Sequence, residues 1–529
     1  MLFSEKYKMC VYETRTPGRI TTVLPKARII KPNTVAVPCE LWEMQVMRGL
    51  GYEAVSPILH EYEWQGRFKP FNHQRHMSAF LTLHPRAFNL SDIGTGKTLG
   101  TLWAADYLMK KGFIKKALIL SPLSTLYRVW QDEIFQHFLG TRKSVVLHGS
   151  REKRLELLKQ DVDFYIINHD GLGVGSHRGT RGIELGGLAE ILRSRTDIDL
   201  FIVDEGSVYK DSATLRYRIL RQVCAEKPYM WWLTGTPTPN APTDGWAQAK
   251  ILRSDYNESY KSFQDRTMYR ASQFKWVPKA DSHKIAANVL QPAIRFHRED
   301  CLDLPECISV IRDVELTPLQ KKAHETLKNQ LAATIGGGTI NAVNEAALRM
   351  KLLQVSLGAV YDTEHNTHKI DCAPRLKVMR EIIEQTDDKL LIFAPLTSVI
   401  NLLYSELRKE YPVEMVNGEV SSGKRSEIFR AFQQETDPRI LVADPRTMAH
   451  GLTLTKAATI IWYGPTDMPE IYTQANGRIN RPGQTKNMLI VRLAATSLER
   501  EIFKRLDNKE TMQGAVLDLI RNGETDEPR

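Results

Sequence analysis

The chain has 529 residues, of which 42% are hydrophobic and 25% charged, with six cysteines and a formal net charge of +10. That length and mix describe a globular chain of several domains rather than a small disulfide-stapled scaffold, and no run of about 18 apolar residues offers a membrane span. The first twenty residues lack the apolar core of a secretory signal, the cysteines show no metal-site spacing, and the excess of Lys and Arg suits a polyanionic partner.

In chain order, residues 1–65 carry short strand-like runs broken by Pro and Gly, RITTVLP, KARIIKP and NTVAVPC, and are expected to form a small β-rich accessory domain. From 66 to 253 the apolar runs KALILSP, DFYIINHDG, LFIVDEGS and YMWWLTGTP are each followed by helical periodicity. Residues 254–373 turn helical, with TPLQKKAHETLKNQLAATI and NEAALRMKLLQVSLGAVY split by GGGT, and read as an insertion and linker. Residues 374–510 return to the first pattern with KLLIFAP, RILVADP, TIIWYGP and NMLIVRL, and 511–529 read as a helix and a polar tail. Strands buried on both faces appear as continuous apolar runs, and interleaved helices supply the crossovers that parallel strands need. The expectation is therefore an α/β chain with two parallel-sheet lobes.

The stretch SDIGTGKT, residues 91–98, holds the chemistry of a phosphate cradle, although Ser91 stands where the strict pattern has glycine. Gly94 and Gly96 allow a tight loop whose N–H groups converge at a helix start, Lys97 brings a cation to the β/γ oxygens, and the Thr98 hydroxyl suits Mg²⁺. Asp92, Ile93 and Thr95 complete the loop. Downstream, VDEGS delivers Asp204 and Glu205 to a strand end. Asp204 would complete a Mg²⁺ shell and Glu205 would orient and deprotonate an attacking water; such a pair also serves as a helix cap. In FKPFNHQ, Gln74 has the amide for an adenine edge, and Phe68 or Phe71 the ring to pack on the base, which would select ATP. Trp231 and Trp232, inside an apolar strand, read as core.

This order of motifs resembles the superfamily 2 helicase engine, and within it the Snf2-like branch of double-stranded DNA translocases, in a compact bacterial or phage-type form. The resemblance runs from about Phe68 to Leu506 through SDIGTGKT, SPLSTLYRVWQDE, INHDG, VDEGS, LTGTPTPN, REDCLDLPE, LLIFAPLTSV, GLTLTKAATII and QANGRINRPGQ. It implies two RecA-like lobes, ATP and Mg²⁺ as cofactors, and a sixth motif in which Gln474 couples the lobes while Arg478 and Arg481 meet the γ-phosphate. It also implies phosphate-tracking contacts from Ser121, Leu123, Ser124, His169, Gly171, Thr397, Gly451 and Thr453. The box here ends in Ser207 instead of the family's longer side chain, so coupling is expected to run through Gln474 and Thr234. The basic stretch around His177, Arg178 and Arg181 reads as a flexible loop able to touch DNA. The implied activity is ATP-driven movement along duplex DNA in a bacterial or phage-infected cytoplasm, with no membrane partner. A branch-migrating enzyme at forked DNA, an RNA helicase, and a remodeller of a DNA-bound protein such as RNA polymerase, recruited through the N-terminal domain, stand as alternatives.

Overall fold

The computed structural model describes residues 1–180, 182–272, 275–301, 304–336, 342–361, 366–448 and 453–508. Two compact units divide near Cys301 and Leu302.

The first unit is built on seven strands, all parallel. Their spatial order is Ala293–Ile294, Arg86–Asn89, Tyr229–Leu233, Ile198–Asp204, Lys116–Ser121, Phe164–Asn168 and Ser144–Val146. The four long apolar runs of the sequence supply the central strands, covered on both faces by helices such as Lys97–Lys110 and Asp244–Leu252. The second unit has a six-stranded parallel sheet in the order Cys307–Asp313, Met488–Ala494, Ala457–Trp462, Lys389–Phe393, Ile440–Ala443 and Val413–Val416. The segment read as a helical insertion contributes an edge strand to each sheet. It also holds the helices Pro318–Gly336 and Ala342–Leu357, joined where Gln320 Nε2 donates to Val355 O at 2.8 Å.

The N-terminal segment forms a four-stranded antiparallel sheet, Leu2–Ser4, Met9–Glu13, Thr34–Pro38 and Arg28–Lys31. RITTVLP is not a strand: Pro17–Val23 is a short helix. Pro17 sits in the first turn, where its missing N–H has no partner to lose, and the hydroxyls of Thr21 and Thr22 donate back to Gly18 O. The stretch around His177 is also more ordered than a flexible loop. His177–Gly179 pairs antiparallel with Gly182–Glu184, and His177 Nε2 lies 3.1 Å from Glu184 Oε2; Arg181 lies outside the described residues. The expected tail, 511–529, also lies outside them.

Residues 1–65 share a core with the first unit. Cys10, Tyr12, Ile20, Val35, Met44 and Met47 pack in one cluster with Met77, Leu81, Leu102, Trp103 and Tyr107. Gln45 Nε2 donates to Thr82 O at 2.8 Å and Trp103 Nε1 to Gln65 O at 2.8 Å. Each large side chain uncovered at that face costs about 1.5–3 kcal/mol, against a total stability of about 5–15 kcal/mol for a typical protein. Deletion of residues 1–60 is therefore expected to yield an insoluble chain or one without a cooperative thermal transition, as read by soluble yield and circular dichroism.

Candidate active site

The loop between the strand Arg86–Asn89 and the helix Lys97–Lys110 turns on two glycines. Gly94 and Gly96 have φ of +91° and +76°, where any side chain is strained. A methyl group on Gly96 would also stand 2.0 Å from Gln74 Nε2, so the helix Asn72–Leu83 packs directly on the loop. Gln74 Oε1 accepts the Phe71 N–H at 3.0 Å and so caps its own helix. Lys97 Nζ donates across the loop to Ser91 O at 2.8 Å and Asp92 O at 3.1 Å. Thr98 is half-buried in the first helical turn, and Thr95, almost fully buried, donates its hydroxyl to Asp92 O.

Two strands across the same sheet, Ile198–Asp204 ends in the carboxylate pair. Asp204 Oδ2 accepts from Trp130 Nε1 at 2.9 Å and from Ser121 Oγ at 3.2 Å, while Oδ1 accepts the Glu205 N–H at 3.1 Å. Burial pushes the Asp204 pKa up; the Trp130 bond, the nearby Lys97 charge and the other donors oppose it without cancelling it. Glu205 holds φ of +50°, an unusual backbone for a non-glycine residue that its surroundings must impose.

Three placements differ from the sequence expectations. Phe68 is 57% exposed and its ring lies 5.7 Å from His137. Phe71 is instead the aromatic beside the loop: it stacks on His73 at 5.6 Å, and His73 Nε2 is 2.9 Å from Thr95 O. Asp92 does not stand open toward a phosphate. Its carboxylate meets Arg295 Nη2 at 3.3 Å, His297 Nδ1 at 3.4 Å and the Arg298 N–H at 3.2 Å. Ser121 is fully buried and turned toward Asp204 and Thr125, away from any solvent-borne strand.

Sequence reasoning missed the segment 293–298, which lies along the other flank of the loop. Phe296 N–H donates to Ser91 Oγ at 3.1 Å, and Asp92 N–H donates to Phe296 O at 3.0 Å. It also missed that Trp130 holds Asp204. Neither contact has a local signal, because the partners lie some 70 to 200 residues apart.

Among the expected nucleic-acid contacts, Leu123 and Ser124 are exposed beyond the strand Lys116–Ser121. His169 is 6% exposed with Nδ1 3.2 Å from Tyr209 Oη, and a methyl on Gly171 would stand 2.3 Å from Asn168 Oδ1, so both are held in the core. In the second unit, Thr397 opens the helix Thr397–Leu407 and Thr453 is exposed; Gly451 lies outside the described residues. Arg481 is half-buried, with Nε donating to Gly477 O at 2.9 Å and Nη1 3.5 Å from Thr453 Oγ1. Arg478 is 2% exposed and Gln474 1% exposed. Neither amide atom of Gln474 has a hydrogen-bond partner among the described residues.

Two parallel sheets, one ending in a glycine-turned loop with a lysine and a strand-end carboxylate pair, define the two-lobed nucleotide-hydrolase class of the helicases. Residues 90–365 match the SNF2-related domain, more than half of the chain, and residues 374–483 match the helicase conserved C-terminal domain. The chain belongs to the SNF2-related family and carries its ATP-hydrolase core. It is 24% identical over 455 residues to the ATP-dependent DNA helicase DDM1 of Arabidopsis thaliana, covering 80% of this chain and 58% of that protein. It is also 24% identical over 462 residues to protein p41 of Acyrthosiphon pisum secondary endosymbiont phage 1, covering 81% and 94%. The SWI2/SNF2 ATPase core of Sulfolobus solfataricus in complex with dsDNA aligns at 22% identity and a TM-score of 0.41, over 88% of this chain and 95% of that one.

The raised Asp204 pKa fixes the sign of a stability effect. A carboxyl whose folded pKa lies above its unfolded value stabilises most below the unfolded pKa, and that contribution is lost as pH rises through the folded pKa. At neutral pH and without nucleotide, Asp204→Asn is therefore expected to melt above wild type, with the gain shrinking as pH falls into the carboxylate range. Calorimetry across pH checks this.

Proposed function

We propose that this protein hydrolyses ATP with magnesium and uses the cycle to move along double-stranded DNA, remodelling DNA structures or displacing proteins bound to them. The observation that carries the reading is the meeting of Lys97 and Thr98, at a helix start, with Asp204 and Glu205, at the end of the same sheet. The loop N–H groups around Gly94 and Gly96 bind the phosphates, and Lys97 exchanges its present carbonyl partners for β/γ oxygens. Phe71 and Gln74, beside the loop, face the base.

Thr98 and Asp204 fit a magnesium ion: an enclosed carboxylate with a raised pKa gains most from a cation that restores its charge. Bound there, magnesium neutralises charge on the phosphates. Glu205 orients the attacking water and takes its proton, and its imposed backbone sets that orientation before substrate arrives. Arg481 supplies the positive charge that meets the γ-phosphate when the units close, with Arg478 as its neighbour in the motif. The buried, unpaired amide of Gln474 supports a role in sensing the reacting phosphate, since such groups persist where a ligand completes them.

DNA as the track is supported by the net charge of +10 and by the name of the Arabidopsis relative, an ATP-dependent DNA helicase. Exposed backbone at Leu123 and Ser124, together with Thr397 and Thr453, follows phosphates without reading bases. Among the described residues no helix is long and apolar enough to cross a membrane, in keeping with a role in a bacterial or phage-infected cytoplasm.

Phosphate release measured with no nucleic acid, duplex DNA, single-stranded DNA and RNA tests this. Duplex DNA is expected to stimulate most, with the effect falling as salt rises; stimulation by RNA alone would replace the substrate. Glu205→Gln is expected to abolish turnover while retaining ATP. Arg481→Ala is expected to cut kcat by about 10³ or more with binding spared, and an unchanged kcat would move the finger to Arg478.

A further inference from the structure

The side chain at Ser207 is short and fully buried, where the family's box has a longer one. The structure shows what stands beside it. A methyl group on Gly206 would lie 2.0 Å from Trp232 Nε1 and 2.2 Å from Cε2, so the indole occupies the space an alanine at this position would need. Trp232 and Gln248 are both fully buried. Trp232 Nε1 donates to Gln248 Oε1 at 2.9 Å, and Gln248 Nε2 donates to Pro237 O at 2.5 Å and to Asp244 O at 3.0 Å. Pro237 lies inside TGTPTPN, the loop expected to couple hydrolysis to movement, where Thr236 N–H also donates to Thr234 Oγ1 at 3.1 Å. On its other side Trp232 meets the Tyr209 ring edge-on at 5.6 Å, and Tyr209 meets His169.

We infer that Trp232 and Gln248 are positioning residues for ATP hydrolysis, holding Glu205 in register with the loop 234–240 in the role a longer side chain at Ser207 would otherwise fill. The inference rests on the ATP-hydrolase reading of the site. Glu205 sits in a left-handed backbone that its neighbours must hold, and the next residue, Gly206, bears directly on the indole with no slack between them. A primary amide can face both ways: its oxygen takes the indole N–H and its nitrogen holds two carbonyls. For fully buried groups each of these bonds is costly to lose, so a shift of Pro237 moves Gln248, then the indole, then the backbone beside Glu205. Trp232 acts through Glu205 and touches no reacting atom itself.

Two variants test this. Gln248→Met keeps the volume but removes both hydrogen-bonding ends; Gly206→Ala leaves Trp232 and Gln248 in place but drives the indole aside. Each is assayed for kcat and KM for ATP, with and without duplex DNA, and for thermal unfolding, beside wild type and Glu205→Gln. Both are expected to lower kcat by about tenfold to a hundredfold, the scale of a misplacement near 1 Å. KM should stay within about twofold and DNA stimulation should be lost, while the melting temperature falls because buried partners lose their bonds or their space. Trp232→Leu, which vacates the space, is expected to make Gly206→Ala nearly silent when the two are combined. If Gln248→Met fails to fold, the Gly206→Ala and Trp232→Leu cycle decides. An unchanged kcat in a folded variant overturns the inference, as does a loss of ATP affinity in step with kcat, which marks a general loosening of the core. A wild-type chain without Glu205-dependent turnover overturns the hydrolase reading first and the positioning role with it.

Discussion

Gly96 has a glutamine where its side chain would be, and the first unit is assembled around that close approach. Because the loop lacks a Cβ there, the helix Asn72–Leu83 seats its Gln74 directly on the glycine-turned loop. The far side of that helix is sealed by the N-terminal sheet, through Met77, Leu81 and the helix Leu41–Gly49. On the opposite flank, Asp92 and Ser91 bind the segment 295–298 by main chain and side chain together. A side chain at Gly96 would therefore disturb a stack that runs from the accessory sheet to the start of the linker.

The eight long apolar runs of the sequence all became parallel strands, because a strand buried on both faces must be apolar along its whole length. What stayed hidden were strands at the sheet edges, including Cys307–Asp313 inside the segment read as helical. Ala293–Ile294 is two residues long and Ser144–Val146 three, so neither carries a period, and both are set by partners distant in the chain. RITTVLP misled because β-branched residues favour strands only on average, whereas Pro17 and the threonine back-bonds settle the local question. The site divides along the same line. Gly94, Gly96, Lys97, Thr98, Asp204 and Glu205 stand out in the sequence because phosphate chemistry would call for those residue types, and the structure places them at the ends of strands of one sheet. Trp130 and Arg295 do not, since each meets the site through a contact with a residue far away along the chain. Asp92 shows the limit from the other side: adjacent to the cradle in sequence, its carboxylate is turned to arginine.

The second unit shows two treatments of buried polarity. Arg375 and Glu499, 2.6 Å apart and almost without exposed surface, are paired: Arg375 also donates to Tyr463 O, although its Nε has no partner among the described residues, and Glu499 also accepts the N–H groups of Ala495 and Thr496. Such a pair ties the helix Ala373–Glu384 to the segment that follows the strand Met488–Ala494. Gln474, as deeply buried, is left with both amide atoms unmatched. Arg375 thus keeps a bond at each of its two terminal nitrogens, whereas Gln474 keeps none at either end of its amide.

The connecting segment begins and ends as an edge strand. Ala293–Ile294 lies parallel to Arg86–Asn89, reinforced by the bonds from Leu90 N–H to Ile294 O and from Asp92 N–H to Phe296 O, and Cys307–Asp313 lies parallel to Met488–Ala494. A displacement of the chain at the upstream anchor would therefore reach Leu90 and Asp92 directly, because their main-chain N–H groups hold it and no side chain intervenes.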